Sequence, residues 1–354
     1  MSKSVLIVGQ GLAGTCLAWR LLEKGAHIHI LDPEESVTSS LVAAGLMTPI
    51  TGKSLDPSWR FTEFIRISGE FYRAMEKNLD VPLLYPMTIN RIFVNHTETR
   101  LFEQRLSNTD FASLAQDFNS SAIPPSILAP LGGFSMPGGA RLDVRNFILA
   151  SRRHFQKQGC FEKATFSSDD LTGHSGKLMW NGHEFDAVVL CRGFKEGFSW
   201  DARFLQFEPN RGQMIRCRCE NLETSQVWNQ RGLWMMPLNE MGPGEFLIGA
   251  TYNRMRTDIS PDEASRNQIL DRLGKFSREI PDSSAIAGEP VGIRPVIRGW
   301  KLVASPHPNM KRIFIFNGLG SKGALRAPYF AECLAGSILE GRPIEPGVDI
   351  SSLN

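Results

Sequence analysis

Apolar positions run unbroken from Val5 to Val8, and helical spacing then carries the pattern to Glu23. Gly25 punctuates the chain, alternation resumes from His27 to Leu31, and Asp32 closes it. A short, β-branched apolar run suits a strand buried on both faces, and the alternating run predicts a second strand after the helix. Between first strand and helix stands Gly9-Gln10-Gly11-Leu12-Ala13-Gly14. In that setting Gly9 permits the tight turn, Gly11 lets the backbone approach a pyrophosphate, and Gly14 lets helix and strand pack closely. The free N–H groups of the first helical turn, at Leu12 and Ala13, favour the phosphate charge. Asp32 stands where a carboxylate meets an adenosine ribose and repels the extra phosphate of NADP. Strand, glycines, helix, strand and acid in that order predict a dinucleotide site.

Further along, helical periodicity covers Trp59 to Lys77, with Phe61, Phe64, Ile65, Phe71 and Tyr72 on its stripe. Thr88 to Val94 is strand-like, and a polar, poorly periodic stretch then extends to Pro124-Pro125. Gly132-Gly133-Phe134 and Pro137-Gly138-Gly139-Ala140 predict turns. Leu142 to Gln158 is a helix opened by Asp143 and stopped by Gly159, and Lys177 to Trp180 is a strand. Phe185 to Leu190 is apolar enough for a central strand, whose end at Cys191-Arg192-Gly193 would reach the same crevice as the first glycines. Strands follow at Gln213 to Arg218, Gly232 to Pro237 and Glu245 to Tyr252, then an amphipathic helix over Pro261 to Ile280. These separated strands with one helix predict an antiparallel sheet that carries the substrate.

The closing segment repeats the opening plan. Arg312 to Phe316 is a buried strand, Asn317 to Gly323 a second glycine-rich turn, and a helix with Pro328 in its first turn runs to about Leu339, with Gly341 just past its end. A helix start with Lys322 beside it would stabilise negative charge far from the pyrophosphate; for a flavin, that is the pyrimidine edge of the reduced ring. Between the two units, Ser39-Ser40-Leu41-Val42-Ala43-Ala44-Gly45-Leu46 supplies hydroxyls and then small side chains. They suit a flat ring lying against the backbone, and they equally suit a tightly packed helix start.

Composition narrows the class little. Hydrophobic content of 42% and charged content of 21% are those of a globular protein. Lys+Arg 39 against Asp+Glu 37 gives +2, so overall charge carries no signature of nucleic-acid binding. The six cysteines include no CxxC pair, which predicts free thiols and no metal site. Met1-Ser2-Lys3 leads straight into the first strand and no apolar run is long enough for a bilayer, so a cytoplasmic protein is expected, without a membrane partner.

Taken together, Gly9–Gly14 with Asp32, Ala43-Ala44-Gly45-Leu46, Arg211-Gly212-Gln213, Gly249-Ala250-Thr251-Tyr252, Gly292-Ile293-Arg294-Pro295 and Gly318-Leu319-Gly320-Ser321-Lys322-Gly323 with Ala327-Pro328 resemble the D-amino-acid-oxidase-like superfamily of FAD oxidoreductases. Its members include glycine oxidase, sarcosine oxidase and the C-terminal flavin domain of the bifunctional tRNA enzyme that processes 5-carboxymethylaminomethyluridine. The resemblance covers most of the chain. It implies an α/β fold: a discontinuous Rossmann-like FAD-binding domain (residues 1–84, 141–206 and 289–354) with an inserted antiparallel-sheet, α+β substrate domain (85–140 and 207–288).

It also implies non-covalent FAD, held by Gly9, Gly11, Leu12, Ala13, Gly14, Asp32, Ser39, Ser40, Ala44, Gly45, Cys191, Gly193, Arg294, Gly320, Ser321, Lys322 and Gly323. The expected reaction is oxidation of a C–N bond in an amino acid or secondary amine by hydride transfer to flavin N5, with O2 or another acceptor reoxidising the flavin. Arg294 matches the arginine that pairs with a substrate carboxylate, a task suited to its planar fork. Trp234, Tyr252 and Leu46 match pocket positions; from the residues alone, Trp234 and Tyr252 are equally suited to pocket or core. After Arg294-Pro295 many relatives continue with an Asp and a Pro-x-x-Gly, whereas this chain has Val296-Ile297-Arg298-Gly299-Trp300. Two alternatives stand beside the small amine substrate: a carboxymethylaminomethyl-uridine in tRNA, ranked below it, and a flavin-binding subunit without turnover.

Overall fold

Two sheets organise the chain in the computed structural model, which describes residues 2–117, 123–174, 176–198, 204–220, 222 and 224–350. The first apolar run is the Ser4–Val8 strand, inside a six-stranded sheet. Its neighbours in order are Val303–Pro306, Ile313–Asn317, Ala187–Leu190, Ser4–Val8, His27–Asp32 and Phe161–Lys163. Every neighbouring pair is parallel except the first, which is antiparallel. The strand is buried on both faces because its side chains alternate between two layers. Val5 and Ile7 join a core shared with the Leu12–Glu23, Phe61–Leu79, Val144–Lys157 and Gly323–Glu340 helices, while Leu6 and Val8 join a second core with Trp180 and Phe185.

The second sheet has ten strands. Leu46–Met47 pairs with Gly133–Leu142, which pairs with Leu84–Ile92. Asn210–Arg218, Glu245–Gly249 and Leu233–Pro237 follow one another antiparallel, and Val291–Arg294 adds to the start of Asn210–Arg218. One face, with Met87, Met214, Met236 and Ala250, is packed by Ala44, Leu46 and Trp234. The other, with Ile215, Trp228 and Ile248, is covered by Ile269 and Leu273 of the Glu263–Leu273 helix. This sheet is not purely antiparallel as expected, since Val227–Gln230 runs parallel to Leu84–Ile92.

Several local expectations change for identifiable reasons. The stretch Pro137-Gly138-Gly139-Ala140 does not turn but continues the Gly133–Leu142 strand. Gly139 is there for close approach: a Cβ would lie 2.6 Å from Ile89 Cδ1 and 2.8 Å from the Met87 carbonyl, at a bulge in the partner strand. The polar stretch after Val94 contains the His96–Arg105 helix, capped by the Asn95 side chain accepting from Glu98 N–H at 3.0 Å. The helix expected over Pro261 to Ile280 is shorter, Glu263–Leu273, because Gly274 caps it. The final helix starts at Gly323, so Pro328 lies inside it rather than in its first turn. Proline cannot donate to the carbonyl four residues back; the Tyr72 hydroxyl donates to that Ala324 carbonyl instead, at 2.9 Å.

Candidate active site

The first glycine loop is built by backbone contact. Gly9 has φ +99°, and a Cβ there would lie 2.6 Å from the Cys191 carbonyl oxygen, so the ends of two parallel strands touch. A Cβ on Gly14 would collide with the Gly9 carbonyl. Gly11 caps the Leu12–Glu23 helix with no side-chain hydrogen bond and no acidic residue in the first turn. Leu12 N–H donates to Ser40 Oγ at 3.1 Å, so the Ser39–Ser40 segment meets the helix start. A helix N-terminus free of acids, with Ser40 taking only the Leu12 N–H and a glycine leading into it, fits a pyrophosphate.

Asp32 is nearly buried and already serves the loop. One carboxylate oxygen accepts from Gln10 N–H at 2.7 Å; the other accepts from Glu34 N–H at 2.8 Å and from Arg152 at 3.2 Å. A carboxylate offers about four acceptor sites, so capacity for a ribose hydroxyl remains. Arg152 also donates to the Gln10 side chain at 2.6 Å and thus ties Asp32 to the glycine loop. Sequence reasoning missed it, for it is one arginine among several on its helix. Asn317 was missed as well. Its side chain donates to the Gly193 carbonyl at 2.9 Å and accepts from Gly318 N–H at 2.8 Å, locking two loops together. The Asn317-Gly318 dipeptide was the available signal.

The second glycine loop meets the first. Gly318 and Gly320 have positive φ, and a Cβ on Gly323 would lie 3.1 Å from Leu12 Cδ2, so both helix N-termini face one region. Ser321 is exposed. Lys322 donates to Thr51 Oγ1 at 3.1 Å and Ser58 Oγ at 3.0 Å, and burial brings its pKa down to about 8.

From there the Ser39 to Leu46 segment leads to the second sheet. Gly292 has Ser39 and Val42 against it: a Cβ would lie 3.4 Å from Ser39 Cα and 2.5 Å from Val42 Cγ2. Gly45 has φ +72°, and a Cβ there would collide with the Leu142 carbonyl, so the segment lies flat on the sheet edge. Two residues beyond Gly292, Arg294 ends its strand with its guanidinium carbon 4.5 Å from the centre of the Tyr252 ring and Nη1 3.4 Å from the Thr251 carbonyl. No carboxylate pairs with Arg294 among the described residues. Burial lowers its pKa, with Tyr252 acting the other way. Trp234 lies across the sheet at Gly249, where a Cβ would reach its ring at 3.4 Å. Tyr252 is 54% exposed, at the rim rather than in the core.

The arrangement is a helix start reached across glycines, joined by a small-residue segment to a guanidinium that no carboxylate among the described residues pairs with. The family of FAD dependent oxidoreductases designated DAO matches residues 4–336. The chain belongs to that family. FAD is its cofactor, and the acid-free helix start, the Asp32 carboxylate and the second glycine loop fit it. The chain is 23% identical to the tRNA 5-methylaminomethyl-2-thiouridine biosynthesis bifunctional protein MnmC of Leptospira interrogans, over 98% of this chain and 59% of that protein. It thus spans about three-fifths of that relative's length. It is 21% identical to the uncharacterized oxidoreductase YurR of Bacillus subtilis, covering 95% of each. Among solved structures, iminodiacetate oxidase from Chelativorans sp. BNC1 has a TM-score of 0.78 at 20% identity, covering 96% of each chain. Glycine oxidase from Bacillus cereus has a TM-score of 0.80 at 18% identity, over 97% of this chain and 96% of that one. No helix among the described residues is long and apolar enough to cross a membrane.

Proposed function

We propose that this FAD-dependent oxidoreductase oxidises the C–N bond of an amino acid or a secondary amine that bears a carboxylate. The observation that carries the proposal is Arg294: a partly buried guanidinium, stacked on Tyr252, with no carboxylate among the described residues to balance it. A partly buried cation whose described neighbours include no carboxylate suits an anionic ligand, and a planar fork suits a carboxylate best.

When bound, FAD supplies the two-electron acceptor for hydride from the carbon beside the amine. The chain's own residues would do the rest by orientation. Arg294 would hold the substrate carboxylate and so fix the position of the adjacent carbon. Trp234 and Leu46, packed on the Met87, Met214 and Met236 face, would wall the reacting carbon from water. Tyr252, half exposed above the guanidinium, would cover the entrance. Water then hydrolyses the imine that the oxidation leaves, and O2 or another acceptor takes the electrons. An amine that binds neutral needs no base from the protein.

The test is anaerobic flavin bleaching with a panel of amino acids and N-alkylglycines, repeated with matched amines that lack the carboxylate. Bleaching confined to carboxylate-bearing amines is expected, and a flavin that no amine on the panel reduces overturns the proposal. A second substrate, a carboxymethylaminomethyl-uridine in tRNA, draws support from the match to the bifunctional MnmC protein. It requires salt-sensitive tRNA binding, and no affinity at low salt removes it.

A further inference from the structure

The Asn210–Arg218 strand ends in a pair of thiols. Cys217 is its penultimate residue and Cys219 the first residue beyond it, so the two side chains share one face, two positions apart. Both belong to the core that the Glu263–Leu273 helix covers, with Cys217 fully buried and Cys219 7% exposed. All six cysteines of the chain are free.

On a regular strand, neighbours on one face stand roughly 6.5–7 Å apart. Here the two sulfur atoms are 3.9 Å apart, so the side chains lean together. The chain is already irregular at this point. Pairing with the Ile286–Gly288 strand slips between Arg216 and Cys217, and Cys219 leaves the strand to donate its N–H to the Gly244 carbonyl at 2.8 Å. A disulfide needs Cα atoms about 4.4–6.8 Å apart, which a flat strand offers only at its limit and a bent strand end offers within range.

The two thiols differ in chemistry. Cys217, the more deeply buried, keeps its proton and donates it to Cys219, which holds the Cys219 thiol below its ordinary pKa. Burial pushes the thiols of Cys16, Cys160 and Cys333 up instead. A sulfur favoured as thiolate at the rim of a core, with a second thiol in contact behind it, is the arrangement of an attacking and a resolving cysteine.

We propose that Cys217 and Cys219 form a reversible redox site that closes to a disulfide under hydrogen peroxide. The Cys219 thiolate attacks one peroxide oxygen; the O–O bond breaks, hydroxide leaves, and Cys219 becomes a sulfenic acid. The Cys217 sulfur then attacks the Cys219 sulfur and expels the hydroxyl group, which takes the Cys217 proton and departs as water. The two thiols lose two electrons and two protons in all, and the peroxide ends as two waters. The bend that the bond demands of the strand end keeps the disulfide easy to reduce. The proposal does not rest on the amine-oxidation reading, since peroxide from any source serves.

The test treats the holoenzyme, without substrate, with hydrogen peroxide. The protein is then unfolded in an alkylating agent and mapped by mass spectrometry after a protease that spares Arg218. Alkylatable thiols should fall from six to four, with Cys217 and Cys219 in one peptide that has lost two hydrogens. Glutathione should restore both thiols. Cys217→Ser should stop at the sulfenic acid, trapped on Cys219 by dimedone, and Cys219→Ser should leave Cys217 reduced at the same peroxide dose. Six thiols still alkylatable after peroxide, or a disulfide that joins other cysteines, overturns the site. Should Cys217→Ser not fold, the wild-type map and Cys219→Ser decide.

Discussion

The Arg294 guanidinium lies over the ring of Tyr252, its carbon 4.5 Å from the ring centre. Gly212 makes the stack possible, because a Cβ there would collide with the same guanidinium. The cation is therefore fixed between an aromatic face and bare backbone, with its fork directed by both. Arg294→Lys keeps the charge but loses the fork. It should lower kcat/KM for carboxylate-bearing amines about 10- to 100-fold, the loss of one charge-assisted hydrogen bond. Amines without a carboxylate should change far less. Steady-state kinetics with the paired substrates reads this, and equal losses on both would assign Arg294 a structural role.

Replacing Gly14 by alanine should cost the protein its FAD. The added methyl would collide with the Gly9 carbonyl, which is backbone and cannot step aside. Gly25→Ala is the matched control, with positive φ but nothing within 4 Å of its Cβ. It should cost only about 1–2 kcal/mol, the left-handed penalty alone. The flavin-to-protein ratio of the purified variants, with their Tm, separates the two.

Lys322 predicts a pH dependence. Its ammonium is held by two hydroxyls, no carboxylate among the described residues is in reach of a hydrogen bond, and burial lowers its pKa from 10.5 to about 8. Between those values the unfolded chain holds a proton that the folded chain has released. Stability therefore rises with pH across that window, and below it the full penalty of the buried charge applies. In FAD-free protein, Tm measured from about pH 7 to 10.5 should show this rising contribution, and Lys322→Met should lack it. Parallel profiles for the two proteins would contradict it.

The opening strand–glycine–helix–strand unit was legible because its signals are local. Glycines with dictated positions, two short strands and a terminal acid each leave a mark in the sequence: Gly9 and Gly14 stand at the turn from strand to helix, and Asp32 ends the second strand. Arg152 and Asn317 were not legible, since their importance comes from which distant atom they reach. Asp32 is 120 positions from Arg152, and Gly193 is 124 from Asn317. The second sheet was misjudged where glycine had two meanings. Gly139 looked like a turn because nothing in the sequence reports that Ile89 presses on it across a bulge.

Arg211 shows the same limit and yields the last prediction. It is fully buried on the Asn210–Arg218 strand, one position after Asn210, which pairs with Arg294. Its side chain donates to the carbonyls of Asp258, at 3.0 Å, and Ser260, and pairs with the Asp262 carboxylate at 3.0 Å. Its backbone exchanges two hydrogen bonds of 2.9 Å with Asn253, the residue after Tyr252. One side chain thus pins the loop that begins at the rim of the candidate site and caps the following helix through Asp262. Removing one partner of a buried ion pair costs roughly 3–5 kcal/mol, and the partial exposure of Asp262 puts Arg211→Met at the low end. Arg211→Lys should recover part of the loss, since an ammonium can still reach Asp262 but cannot also span both carbonyls. Because Tyr252 adjoins the released loop, KM for carboxylate-bearing amines should rise more than kcat falls. Thermal unfolding and steady-state kinetics on both variants check this; an unchanged Tm in Arg211→Met would mean that the loop is held by other contacts.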